Sequence, residues 1–410
     1  MLDAFDIISS SSIQHDCYVK WRWSRALAEI FLIEDQFAWD ELSSTLSDEP
    51  ELAIDTESNS LYCYRERTCL IQIGTRQDTF IIDPLKIINL AKLGSILSNP
   101  DIVKVLHGSD YDLRSLDRDY GFRINNLFDT HVAAKFIGSS TPNLASVLED
   151  TLNISIPKNR RLQTSDWSKR PISDPALDYA ANDVIHLLAM ARKLKNDLRQ
   201  LGRLDWVKEE CERLEGTKYS PPNPPEISFL KVKGSDKLHP RGLAILKELF
   251  MVRDSLAAKI DCPPSRVLSN DSLLNIVVTT CDPLTKDLDP LNGIPPISER
   301  KFGDLFRQAV SKGLNGPEYH RPPRERRGIF WTKESKLRLQ RFKQWRTDLG
   351  ADLGLDPPLL WPTISLERWS SCPSNRYEVN TTITEPEVRA WQLREFGSQF
   401  EAITNAPKLT

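Results

Sequence analysis

Cysteine is sparse in this chain and follows no pattern. The seven cysteines among 410 residues stand at positions 17, 63, 69, 211, 262, 281 and 372, an odd number with no CxxC pair. That spacing predicts neither a disulfide frame nor a zinc site, and points instead to reduced thiols in a cytoplasmic protein. Histidine is equally scarce: six residues, none paired at helical spacing, argue against a histidine metal centre. The glycines are isolated and build no phosphate-cradling loop. No Ser/His/Asp or Cys/His arrangement rises above chance. No run of about 18 apolar residues occurs, which excludes a membrane-spanning helix on length. The opening MLDAFDIISSSSIQHD carries acids and serines where a secretory signal would carry a basic stretch and then an apolar one.

What is present fits a globular protein of two or three domains, since 410 residues exceed one ordinary core. The net charge of −3 hides an uneven distribution, because ten Lys or Arg stand against two Glu from Arg321 to Arg346. Such a run is either a solvated helix face or a contact for a polyanion.

Residues 1–30 read as an N-terminal extension, marked only by Trp21 and Trp23. Strand-like segments follow at ELAID (51–55), TCLIQIG (68–74), DTFIID (78–83) and DIVKVLH (101–107), the last three rich in buried-strand residues. Ser109 is placed to cap a helix running to Tyr120, with Gly121 as its stop. Ser173 or Asp174 begins a longer helix, with Pro175 in its first turn and Gly202 beyond its end. This order predicts an α/β domain with a mixed sheet over 31–215.

The proline-dense KYSPPNPPEI (218–227) marks a linker over 216–235, and helical periodicity dominates beyond it. LKELFMVRDSLAAKIDCPPSRVL (246–268) is echoed by LQRFKQWRTDLGADLGLDPPLLW (339–361). The offset is 93 residues, slipping to 94 where Pro263-Pro264 meet Pro357-Pro358. Two helical copies, 236–318 and 331–410, joined by a basic linker at 319–330, are the economical reading. RWSSCPSNRYEVNTTITEPE (368–387) departs from a clean helical pattern in the second.

The apolar run LAIDTESNS (52–60) ends in two carboxylates with one residue between them. Side chains alternate faces along a strand, so Asp55 and Glu57 share one side about 6–7 Å apart. Two such charges are costly in a half-buried site unless a cation joins them. A DxE alone is a weak signal, but VKVLHGSDYDL (103–113) adds Asp110 and Asp112 where a strand runs into a helix. DYAANDVIHLL (178–188) adds Tyr179 and Asp183, four apart on one helix face beside an apolar stripe. Carboxylates gathered from three elements suit hard cations such as Mg²⁺ or Mn²⁺. Two ions about 4 Å apart can activate a water and stabilise the leaving oxygen of a phosphate ester. Tyr179 is placed to orient that water.

These motifs together resemble the DEDDy class of 3′–5′ exonucleases, and more closely the ribonuclease D family. The likeness rests on IDTESNSLYCYRERTCLIQI, VLHGSDYDL and YAANDV, with NRRLQTSDWSKRPIS (159–173) before the last. It implies an α/β RNase H-like exonuclease domain, its mixed sheet flanked by helices, followed by all-α HRDC-like domains that bind nucleic acid. It implies two divalent metal ions, Asp55, Glu57 and Asp183 holding one and Asp55 with Asp112 the other, and Tyr179 holding the attacking water. Asp110 is the competing acid in the second motif. The family pattern favours Asp112, five residues after His107 and just before Leu113. Ser58 departs from the aromatic or bulky residue usual after DTE in the family.

The expected substrate is the free 3′ end of structured RNA such as tRNA precursors, cut to nucleoside 5′-monophosphates by a monomer. Expected nucleic-acid contacts are Thr56, His107, Lys158, Arg160, Arg161 and Trp167, with Lys169 and Arg170 nearby, and Arg324, Arg326 and Arg327 in the basic linker. A DNA exonuclease and a non-catalytic RNA-binding scaffold remain alternatives. The second would be expected to lack one of the acids.

Overall fold

The computed structural model describes residues 19–21, 29–157, 159–282, 284, 289–291, 294–323, 331–371 and 387–404. Trp23, Lys158, Arg324, Arg326 and Arg327 lie outside the described residues, as do most of 368–387. Among the described residues seven strands form one sheet: β1 (Val19–Trp21), β2 (Glu29–Ile33), β3 (Glu51–Ser58), β4 (Thr68–Gly74), β5 (Asp78–Ile82), β6 (Val103–Leu106) and β7 (Leu127–Asp129). Their order is β1-β2-β5-β4-β3-β6-β7. The β1–β2, β5–β4 and β4–β3 pairs are antiparallel, and the β2–β5, β3–β6 and β6–β7 pairs are parallel. The sheet is mixed, as expected, and β4 takes the bounds read from TCLIQIG, every residue buried.

The N-terminal boundary needs correction. β1 and the start of β2 fall inside the stretch read as an extension, and β1 joins the sheet edge by pairing with β2. A three-residue edge strand is too short to show a period, which is why VKW passed unnoticed. LFD (β7) escaped for the same reason.

Among the described residues nine helices accompany the sheet: α1 (Gln36–Leu46), α2 (Ala91–Ser98), α3 (Asp110–Tyr120), α4 (Thr130–Phe136), α5 (Leu144–Leu152), α6 (Arg160–Gln163), α7 (Asp174–Asn182), α8 (Leu187–Gln200) and α9 (Leu204–Glu215). α3 starts after Ser109 and stops at Gly121, whose φ of 70° a side chain would strain. The long helix expected from Ser173 to Gly202 is two helices. It breaks at Asp183, and the break separates the two cores. Leu177 and Ala180 pack with Leu70, Ile81 and Trp167 on one face of the sheet. Val184, Leu187, Leu188 and Ala191 pack with Ile71, Ile73, Phe80 and Ile82 on the other. Gly74 permits the crossing, because a Cβ there would meet the Val184 carbonyl oxygen and the Ala53 Cβ, each at 3.3 Å.

The remaining helices are α10 (Pro225–Ser228), α11 (Pro240–Lys259), α12 (Pro264–Val267), α13 (Asn270–Cys281), α14 (Pro296–Asn315), α15 (Lys333–Leu353), α16 (Pro357–Leu360), α17 (Thr363–Ser371) and α18 (Ala390–Thr404). The internal echo has a shared physical basis. Buried Arg253 donates through Nη1 to Leu268 O and Asn270 Oδ1, at 3.1 and 2.7 Å. Buried Arg346 donates through Nη1 to Trp361 O and Thr363 Oγ1, at 2.8 and 2.9 Å. Partners and prolines keep one offset of 93, so Pro264 matches Pro357 and the slip read at the prolines disappears.

The two copies sit differently on the sheet domain. α11–α14 share a core of their own with Phe229 and Val232, and Tyr64 of the β3–β4 loop packs against it. The second copy shares the sheet's core, with Trp391 stacked on Trp206 at 4.7 Å and touching Phe136. Glu209 and Glu210 accept from the Trp391 backbone N–H and indole N–H. Arg203 donates to Leu353 O at 2.7 Å.

Candidate active site

β3, α3 and the end of α7 converge at one cleft. Asp55 and Glu57 project from the face that α7 covers, cross-strand from Gln72 and Leu70 of β4. Asp183 caps the C-terminus of α7. One carboxylate oxygen each from Asp55, Glu57 and Asp183 lie within 4.8 Å of one another. Asp112 enters from the first turn of α3, buried, and accepts a 2.5 Å hydrogen bond from Thr56 Oγ1.

Burial is the first cause of a raised pKa at each of these acids, and their mutual repulsion adds to it for Asp55, Glu57 and Asp183. Glu57 is pushed to about 9 and Asp183 to about 7, while Asp55 rises well above the usual carboxylate range. Asp112 is pushed to about 7 even though the Thr56 hydroxyl lowers it. The donor set is all oxygen, dense in negative charge and short of compensation, which fits hard divalent cations. Tyr179 stands half-buried one turn before Asp183, its ring centroid 6.1 Å from that of Trp167. Burial first, then Asp183, Glu57 and Asp55, hold its phenol protonated far above neutrality.

The structure separates the two candidates of the second motif. Asp110 is exposed and held by Arg114 through two 2.9 Å hydrogen bonds, which lower its pKa. Its charge is already matched, and Asp112 is the acid that faces the cluster.

Several expected nucleic-acid contacts are spoken for by the fold. Thr56 spends its hydroxyl on Asp112. His107 pairs its Nδ1 with Thr130 Oγ1 at 2.9 Å, lies edge-on to His131, and burial lowers its pKa to about 4. It is a neutral structural histidine. Trp167 is 3% exposed and offers no face for a base, so the stacking role expected of it is replaced by anchoring in the core. Arg170 grips fully buried Asp83 at 2.5 and 2.7 Å and also donates to the Trp167 and Cys69 carbonyls. It pins the loop and is not available to phosphate. Arg160, Arg161 and Lys169 remain exposed. Arg161 and Lys169 border a cavity of about 420 Å³ beside Tyr62.

Asp129 was not singled out in the sequence, although it positions the second motif. Nearly fully buried, it caps α4 and accepts from the backbone N–H of Gly108 and Ser109 and from the Ser109 hydroxyl. That grip fixes the loop from which α3 and Asp112 start. An Asp-Thr pair opening a helix was the only available signal.

A 3′–5′ exonuclease family model matches residues 30–199, and an HRDC domain model matches residues 242–310. The chain is similar to the exosome complex exonuclease RRP6 of Saccharomyces cerevisiae, 32% identical over 69% of this chain but only 41% of that protein's length. It is 31% identical to ribonuclease D of Gluconacetobacter diazotrophicus, over 88% of this chain and 89% of the relative. In fold it resembles Escherichia coli RNase D, described as an exoribonuclease involved in structured RNA processing, with a TM-score of 0.65 and 23% identity over 92% of this chain and 99% of that one.

Proposed function

Because this chain belongs to the ribonuclease D family, we propose that it is an active 3′–5′ exoribonuclease, trimming structured RNAs such as tRNA precursors with two divalent metal ions. The observation that carries this reading is the gathering of Asp55, Glu57 and Asp183 within 4.8 Å, with Asp112 beside them. Asp55, Glu57 and Asp183 would hold one Mg²⁺ or Mn²⁺, and Asp55 with Asp112 the other. When bound, such ions supply Lewis-acid activation of a water and stabilisation of the leaving oxygen.

The chain's own residues do the rest. Thr56 holds one oxygen of Asp112, fixing the carboxylate's orientation as outer hydrogen bonds do around metal ligands. The Tyr179 hydroxyl keeps its proton, so it orients the attacking water and does not serve as a base. The 3′-terminal nucleotide would enter between α3 and α7. Arg160, Arg161 and Lys169 would meet backbone phosphates upstream, and affinity should then fall with salt. The helical copies and the basic linker would hold the body of the RNA. The products would be nucleoside 5′-monophosphates, the working form a monomer, and the setting the cytoplasm. Among the described residues no helix is long and apolar enough to cross a membrane.

The test is a 5′-labelled RNA with a short single-stranded 3′ tail, beside the matching DNA, in Mg²⁺, Mn²⁺ or EDTA. A metal-dependent ladder shortening from the RNA 3′ end, absent in Asp55→Ala, is expected. A ladder on DNA alone, or binding without cleavage in every metal, would overturn the reading.

A further inference from the structure

The mouth of the carboxylate cleft carries an aromatic ring that the reaction scheme leaves unused. Tyr111 lies between Asp110 and Asp112 in the first turn of α3, and its side chain is 43% exposed, large for an aromatic residue. A free surface tyrosine would explain the exposure, but this one is not free. Its hydroxyl lies 2.6 Å from Ser58 Oγ, one residue beyond Glu57, and 2.9 Å from Glu66 Oε2.

The lock continues inward. Glu66 is bound by Arg118, and Arg118 donates to both oxygens of Asp119 at 2.8 and 3.0 Å. Asp119 in turn accepts from the backbone N–H and hydroxyl of Thr68 at the start of β4. The ring is therefore held at its polar tip by a chain of charge-assisted contacts rooted in the sheet, while the residue keeps 43% of its surface exposed. A ring ordered in advance loses little conformational entropy when something lies against it. With its hydroxyl committed to Ser58 and Glu66, what the ring can offer a ligand is its π-face. Bases stack on such faces with little regard to sequence.

We propose that Tyr111 is the platform on which the base of the 3′-terminal nucleotide stacks as its phosphate reaches the carboxylates. Ser58 and Glu66 are the residues that hold the platform in place. This rests on the exonuclease reading above. It also gives the small residue at position 58 a purpose: Ser58 leaves room for the Tyr111 hydroxyl and supplies a partner for it.

The test uses the full chain and a short single-stranded RNA ending in 2-aminopurine riboside, whose fluorescence falls on stacking, with Ca²⁺ replacing Mg²⁺ to suppress cleavage. Binding should quench the fluorophore in the wild type and in Tyr111→Phe, which keeps the ring. Tyr111→Leu should abolish the quench and weaken binding about tenfold or more, the usual scale of one base–aromatic stack. The same variant should leave affinity for an RNA ending in an abasic ribose within about twofold, because that RNA has no base to stack. Quenching that persists in Tyr111→Leu, an equal loss for base-bearing and abasic RNA, or no quenching in the wild type would each overturn the proposal. Failure of the exonuclease reading appears separately, as no shortening of RNA by the wild type in Mg²⁺ or Mn²⁺.

Discussion

Asp183→Asn in the metal-free protein is the sharpest check on the electrostatic account of the cleft. Burial, and then Asp112, raise Asp183 from 3.8 to about 7. A carboxyl whose folded pKa exceeds its unfolded one binds its proton more tightly in the folded state. Its contribution is therefore complete below about pH 4 and is lost as pH rises through about 7. At roughly 1.4 kcal/mol per pH unit, ionised Asp183 costs the metal-free fold up to about 4 kcal/mol at pH 8, a ceiling because solvent reaches part of the site. Asparagine keeps the shape and never carries the charge. In EDTA at pH 8 the variant should melt above the wild type, and the gap should close toward pH 4. Mn²⁺ should reverse the order at pH 8, stabilising the wild type far more than the variant, since binding to the folded state alone adds stability by mass action. Thermal melts at several pH values, with EDTA or Mn²⁺, read all three effects. A variant no more stable than the wild type in EDTA at pH 8 would refute the idea that the acids repel one another in a desolvated cleft.

Asp112→Asn should lower RNA trimming about a hundredfold or more, whereas Asp110→Asn should leave the rate within about twofold, since only Asp112 joins the cluster; equal losses in gel-based rate assays would reopen the assignment. Tyr179→Phe should cost about tenfold to a hundredfold in kcat with little change in KM, the scale of a misplaced nucleophile. Full activity there would mean that the water is placed by another group. Arg170→Met leaves the Asp83 charge buried and unpaired and should destabilise the protein by about 3–5 kcal/mol in urea melts. By contrast, Arg160→Ala with Arg161→Ala should spare stability and reduce the salt slope of RNA binding by up to about 2. Trp391→Ala removes a stacked, fully buried ring and should cost about 3–5 kcal/mol. An unchanged melt would show that the second helical copy adds nothing to the sheet's core.

The sequence by itself determined the acids, most of the sheet and the helical repeat, because each leaves a local trace. Asp55 and Glu57 are set on one face by the period of a strand, and α3 runs from Ser109 to a glycine stop, although the Ser109 hydroxyl donates to Asp129 and does not cap the helix. The offset of 93 is written in paired side chains, and the structure shows why: Arg253 and Arg346 each close the turn that follows through a backbone carbonyl and a side-chain oxygen at matching positions. What only tertiary structure decided depends on groups distant in the chain. The family pattern already favoured Asp112 over Asp110, but the physical reason is tertiary: one meets Arg114 in solvent while the other is buried against Thr56. Basic and aromatic residues around 160–170 look equally fit for RNA, yet Trp167 is needed by the core and Arg170 by Asp83. The break at Asp183 follows from packing on both faces of the sheet, which a helical pattern through Val184 and Leu187 does not betray. Periodicity records which side of an element is apolar. It does not record which partner a polar side chain will find, and that pairing assigns the charges in this cleft.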